Sequence, residues 1–405
     1  MKTTSRVCVV GGGFAGVQAV RALRRRAPLA RVTLIDRNPY ATMIPALPDV
    51  LSGRVEQQSI VRPFADIFAA DIAAGAVELV TDAVSSVEPL QCTVRGAAAE
   101  YAYDYLVLAA GSEPEYYGFQ PEEGEQFHTV NTYAGARALR EAFVKHWRHH
   151  PGGQVLVVGG GYTGLEVAAC LALASRRHKA APRITVVEAA DGIVPFLTDR
   201  ERERIKAYLV SNGIEVRLGT RLQQFSRGTA RLSDGTVLEN ALVCWAAGMR
   251  YSGPEFSTPV GAGVETARDG RIITGPTLQL PGHPEVYVAG DAAALQSDGN
   301  VVRRAVNFAY YSGRCAGSNV AAAINGRPAA SFRPVDLGWV IPLGEMSVGR
   351  VLGGLRVGGR IGLRMHYTMS GFRHFGGSNA LEFYRTALRL SREPDPLLSQ
   401  AETAP

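Results

Sequence analysis

RVCVVGGGFAGVQAVRALRRR, residues 6–26, decides the fold. Residues 6–10 read as a short buried parallel strand that runs straight into GGGFAG. Beyond it Val17, Val20 and Leu23 recur at helical spacing, and three arginines close the segment where a helix dipole favours cations. VTLID, residues 32–36, is the next strand, so the stretch is one strand, glycine turn, helix, strand unit. Each glycine has a separate task. Gly11 permits the tight turn off the strand, Gly13 lets the backbone approach a pyrophosphate, and Gly16 lets helix and strand pack closely. The helix start offers free N–H groups to the phosphates. Asp36, 20 residues beyond Gly16, is placed to accept bonds from both ribose hydroxyls.

The pattern returns at QVLVVGGGYTGLEVAACLA, with Gly159, Gly161 and Gly164, and then Glu188 after ITVV. Gly11 and Gly159 lie 148 residues apart, so the chain carries two dinucleotide-binding units. Glu188 is followed by Ala189 and Ala190 with no arginine beside it, which would repel a 2′-phosphate and favours NADH over NADPH. Two such sites in one chain suggest a relay, one holding a flavin as FAD and the other receiving the nicotinamide. YDYLVLAAGSEP (103–114), NALVCWAAGMR (240–250) and EVYVAGD (285–291) each read as a strand entering a glycine turn. The expected fold is α/β with two Rossmann-like domains. The FAD domain is discontinuous, over 1–115 and 275–330, and the NADH domain, 116–274, is inserted. A C-terminal region spans 331–391, and 392–405 reads as a disordered tail.

The 405 residues are 46% hydrophobic and 20% charged, the balance of a globular protein with a large core. A net charge of +6 points at most to an anionic partner such as a nucleotide or a membrane surface, and nucleic acid is not expected. Five cysteines stand alone at 8, 92, 170, 244 and 315, with no CxxC and no metal-ligand spacing. That argues for a reduced, cytoplasmic setting and against redox-disulfide chemistry; Cys170 and Cys244 read as core residues. The first strand begins at Arg6, which leaves no room for a signal peptide, and no apolar run reaches the ~18 residues of a membrane span. HWRHH (146–150) and RRR (24–26) read as solvated helix ends.

The order GGGFAG, AAG, GGGYTGLE, CWAAG, VAGD resembles the two-dinucleotide flavoprotein superfamily, and within it the type II NADH:quinone oxidoreductases, over nearly the whole chain. The resemblance implies that Gly11, Gly13, Ala15, Gly16 and Asp36 bind the ADP half of FAD, with Gly111 beside it. Asp291 would bond its ribityl or pyrophosphate part, and the helix that follows would aim its N-terminus at the flavin ring. Gly161, Tyr162, Thr163, Glu188 and Gly248 would line the NADH site. Glu166 matches a glutamate near the nicotinamide–flavin contact; the alternative is an acid favoured by the helix dipole. The implied reaction passes hydride from NADH to flavin N5 and then two electrons to a quinone. Between Arg350 and Gln400 eight arginines face three acids. The family's ending attaches to the inner face of the membrane, which a basic amphipathic helix suits; the alternative is a helix pair that packs on the FAD domain or joins a homodimer. In RAVNFAYYSG (304–313), Asn307, Tyr311 and Ser312 fall where the family carries glutamines near the quinone. The lost amides keep open a soluble aromatic acceptor or a small electron carrier. A flavin-binding redox sensor is the rival of another class.

Overall fold

The strand Arg6–Val10 lies inside a six-stranded sheet because four of its five residues, VCVV, are apolar and can be covered on both faces. The structure, a computed structural model, describes residues 4–120, 124, 126–150, 152–177, 182–251, 253–257, 263–297 and 299–392; from residue 393 onward the tail expected to be disordered lies outside them. The chain divides into two units.

The first unit is Met1–Thr42, Arg62–Glu113 and Met249–Asp336. Its sheet runs in the order Gln279–Leu280, His283–Val288, Tyr105–Leu108, Arg6–Val10, Arg31–Asp36, Val77–Thr81. All neighbours are parallel except the Gln279–Leu280 edge. Two helices, Phe14–Arg26 and Val306–Ile324, pack on each other. Their approach is set by small residues: a Cβ on Gly313 would collide with the Ala15 backbone, and one on Gly317 with that of Ala19.

The second unit is Met43–Val61, Pro114–Gly248 and Leu337–Pro405. It holds a five-stranded parallel sheet in the order Phe127–Thr129, Ala241–Trp245, Gln154–Val158, Arg183–Val187, Ile214–Arg217. Its C-terminal part is an antiparallel sheet of Gly338–Leu343, Met346–Val351 and Leu355–Gly358, followed by helices Gly359–Arg373 and Gly377–Arg392.

The units divide at other residues than the sequence suggested, because non-local contacts set the boundaries. Residues 249–274 join the first unit: Ile272 N–H donates to Ala292 O and Ala294 N–H to Ile272 O, each at 2.8 Å. Residues 43–61 join the second, where the short helix Leu47–Ser52 packs on the helices Tyr133–His149 and Tyr162–Arg177. The C-terminal part also belongs to the second unit, tied by the ion pair of Arg350 Nε to Glu201 Oε1 at 2.8 Å. The two expected solvated helix ends are exposed at Arg25, Arg26, Arg148 and His149, and each departs at one residue. His146 is buried because it shares the inward stripe of Leu139 and Phe143. Arg24 is drawn into a pair with Asp71 at 2.9 Å.

Candidate functional site: two glycine cradles

Each parallel sheet ends in the same construction. In the first, Gly11 takes φ +95°, and its N–H donates to Ile35 O at 2.8 Å. In the second, Gly159 takes φ +112°, and its N–H donates to Val187 O at 2.8 Å. A Cβ on Gly16 would strike the Gly11 carbonyl oxygen, and one on Gly164 the Gly159 carbonyl oxygen. Gly13 and Gly161 differ from these: a Cβ there would meet no protein atom within 4 Å. They leave space at a helix start where N–H groups are free, which is what a pyrophosphate requires. The residues present therefore suit a dinucleotide at both places.

The two acids are held alike. Asp36 Oδ2 accepts the Gly12 N–H at 2.7 Å and its Oδ1 accepts that of Asn38 at 2.7 Å. Burial raises its pKa, against the pull of those two N–H groups. Glu188 Oε2 accepts the Gly160 N–H at 2.7 Å and its Oε1 that of Ala190 at 2.9 Å. Each carboxylate is fixed beside its cradle with lone pairs left for hydroxyl donors. The other residues expected around the second cradle are placed variously. Thr163 is exposed on the first turn of its helix. The Tyr162 hydroxyl donates to Val340 O. Gly248 takes φ +139° with the Tyr117 hydroxyl where a Cβ would stand.

Beside the first cradle, the His283–Val288 strand ends at Gly290 and Asp291. A Cβ on Gly290 would lie 2.8 Å from Ala15 Cβ, so this turn abuts the first turn of the glycine helix. Asp291 Oδ2 accepts the Ser112 hydroxyl at 3.3 Å, and burial raises its pKa. Gly111, φ +76°, has open space above it. Arg304 and Arg271 are the nearby cations, and both pair with Asp269 Oδ2, at 3.0 and 2.8 Å.

The three residues expected at the acceptor are placed differently. Ser312 is 0% exposed; its hydroxyl accepts the Gly290 N–H at 2.9 Å and donates to Ala309 O at 3.2 Å. Asn307 is buried and donates its amide to Val335 O at 2.9 Å. Both side chains make hydrogen bonds within the first unit. Tyr311, 41% exposed, is the one of the three that faces solvent, edge-on to Tyr310 at 5.3 Å.

Glu166 lies inside the second unit, 3% exposed, with Oε1 lacking any hydrogen-bond partner. Burial, and next the charge of Asp49, raise its pKa well above 4.5. It belongs to a buried polar cluster that the sequence did not disclose. Tyr367 donates to Asp49 Oδ1 at 2.7 Å, and Arg54 Nη1 donates to the Tyr367 hydroxyl at 3.4 Å. Burial lifts Asp49 to about 6, opposed by Arg54 and Tyr367. His366 is pushed down to about 4 by burial and by Arg54. These residues come from segments more than a hundred positions apart, which no local spacing reveals. Cys244 and Cys8, buried, are each pushed up to about 12, and all five cysteines are free, so none is poised as a thiolate.

Two glycine cradles on two parallel sheets define a two-dinucleotide α/β oxidoreductase. A family model described as pyridine nucleotide-disulphide oxidoreductase matches residues 5–313, and the chain belongs to that enzyme family. A type II NADH:quinone oxidoreductase of Staphylococcus saprophyticus is 26% identical over 362 residues, covering 84% of this chain and 87% of that protein. An NADH dehydrogenase-like protein of Mycobacterium tuberculosis is 31% identical over 362 residues, covering 81% and 83%. The solved structure of NDH2 from Plasmodium falciparum in complex with NADH shares the fold, with a TM-score of 0.82 at 15% identity over 97% of this chain and 99% of that one.

Proposed function

We propose that this chain is an FAD-dependent dehydrogenase that takes reducing equivalents from NADH and delivers them to a quinone. The observation that carries the reading is the doubled cradle, one for a resident cofactor and one for a nicotinamide that comes and goes. The names of its relatives, type II NADH:quinone oxidoreductases, support the same substrates. FAD, when bound there, would supply the two-electron chemistry that links oxidation of the nicotinamide to reduction of the acceptor.

The chain's own residues bind and orient. Gly13 and the helix start behind it receive the FAD pyrophosphate, Asp36 its adenosine ribose, and Asp291 with Ser112 its ribityl side. Gly161 and Glu188 do the same for NADH. Glu188 also sets the preference against NADPH. Arg217, on the neighbouring strand, is committed to Glu215 at 2.8 Å, Asp234 at 3.3 Å and Thr236 at 2.8 Å, so it is spoken for as a partner for a 2′-phosphate. Glu166, whose pKa burial raises, lies inside the second unit.

A second reading of the acceptor is favoured by one observation. Tyr311 is the most exposed of the three acceptor candidates and offers its ring; a soluble aromatic compound fits that surface as well as a quinone does. Purified, FAD-loaded protein should turn over NADH continuously with a short-chain quinone, and NADPH at least tenfold less efficiently by kcat/KM. A single reduction without turnover would mark a redox sensor instead.

A further inference from the structure

RRR, residues 24–26, reads in the sequence as a helix end, and the dipole at the C-terminus of Phe14–Arg26 accounts for Arg25 and Arg26. It does not account for the cations beside them. Gln18, Arg21 and Arg25 recur three and four residues apart, so they share one face of that helix. On the Val306–Ile324 helix, Tyr310 and Arg314 are likewise four apart. Gly313 against Ala15 and Gly317 against Ala19 bring the two helices close, and the two stripes line an open cleft of about 70 Å³.

Four arginines border that space, Arg21, Arg25, Arg26 and Arg314, and no described residue that lines it is acidic. Arg21 and Arg314 stand outside the last turns of their helices, so no dipole favours a cation at either place. Burial lowers the Arg21 pKa; Tyr310 opposes the effect and Arg25 adds to it. Gln18 faces the same cleft. It is 7% exposed and makes no side-chain hydrogen bond among the described residues, yet its amide is not sealed by protein atoms. The cleft therefore offers like charges that repel one another, a neutral donor left over, and room to fill.

The size and the charge say what fills it. At about 15 Å³ for each water-sized group, the cleft takes about five of them, the heavy-atom count of one phosphate. Guanidinium forks match phosphate oxygens in pairs, and a phosphate monoester brings close to two negative charges at neutral pH. The place is not the glycine cradle. Arg21 lies eight residues beyond Gly13, about 12 Å along the helix axis.

We propose that this cleft binds a phosphate group, either free as inorganic phosphate or a phosphomonoester, or carried on a lipid head. The bound anion ties the glycine helix to the Val306–Ile324 helix.

The test is calorimetric titration of the purified protein with inorganic phosphate. Ionic strength is held constant with sodium chloride, and excess FAD and NAD+ are present so that neither cradle takes the phosphate. Wild type should bind one phosphate saturably, and Arg314→Met should weaken it about tenfold, the loss of one charge-assisted contact. Arg314→Lys keeps the charge without the fork and should fall between. Arg25→Met, at another exposed position, should act like Arg314→Met and supplies the readout if that variant does not fold. Vesicles then separate the two sources. A lipid source predicts that wild type partitions onto phosphatidylcholine vesicles containing phosphatidic acid several-fold more than Arg314→Met does, with inorganic phosphate competing. A free source predicts equal partition of the two, with the phosphate titration still sensitive to Arg314. No saturable phosphate binding by wild type, or wild-type affinity in both Arg314→Met and Arg25→Met, overturns the proposal.

Discussion

At the scale of single residues, the glycines of one cradle separate ligand binding from folding. Gly13 is open above and adopts φ −72°, a conformation any residue accepts, whereas a side chain on Gly16 collides with the Gly11 carbonyl. Gly13→Ala should therefore fold with a melting temperature near that of the wild-type apoprotein and yet bind FAD at least tenfold more weakly. Gly16→Ala should lose about 1–3 kcal/mol of stability even without cofactor, as overpacking does. Thermal melts with and without FAD check both.

Glu166 makes a prediction about pH. Its folded pKa is raised above the ordinary 4.5, so the folded state keeps a proton that the unfolded chain gives up. The stability this contributes is fully present below pH 4.5 and declines as pH rises towards the folded pKa, by about 1.4 kcal/mol for each pH unit in that window. Glu166→Gln, which cannot ionise, should flatten the decline. Denaturant melts from pH 5 to 8 measure it; equal slopes in variant and wild type would mean that Glu166 ionises freely in the folded protein.

At the scale of elements, what could be read in advance divides by range. The strand–glycine–helix units were legible because each is a local backbone problem: a glycine at φ +95° or +112° and a carboxylate at the end of the next strand. The unit boundaries were not, since strands and helices distant in sequence set them. The helices Gly359–Arg373 and Gly377–Arg392 were foreseen as a basic, amphipathic pair. In the structure Ile361 and Phe372 on the first, and Leu381 and Leu388 on the second, stand exposed, with Phe372 at 71%. Among the described residues no helix is long and apolar enough to cross a membrane. We propose that this face rests on an anionic bilayer surface. Phe372→Glu should reduce partition onto vesicles containing anionic lipid several-fold while leaving NADH turnover with a water-soluble quinone intact; unchanged partition would favour a protein partner on this face.

For the whole molecule, the candidate site was legible where chemistry demands a fixed backbone and obscure where it depends on side chains gathered from afar. Gly13, Asp36, Gly161 and Glu188 stand where the sequence put them in relation to their helices. The bonds of Asn307 to Val335 O and of Ser312 to the Gly290 N–H were not legible, because both partners are remote in sequence. Arg304, Asp49 and Tyr367 went unnoticed for the same reason. The account as a whole requires that both cradles be filled, one by FAD and the other by NADH, and that they work together. The most direct measurement is anaerobic titration of the purified, FAD-loaded protein with NADH, followed by the flavin absorbance near its long-wavelength maximum. The account predicts that about one equivalent of NADH bleaches the flavin and that a short-chain quinone then restores its colour. A flavin that stays oxidised in excess NADH would contradict it.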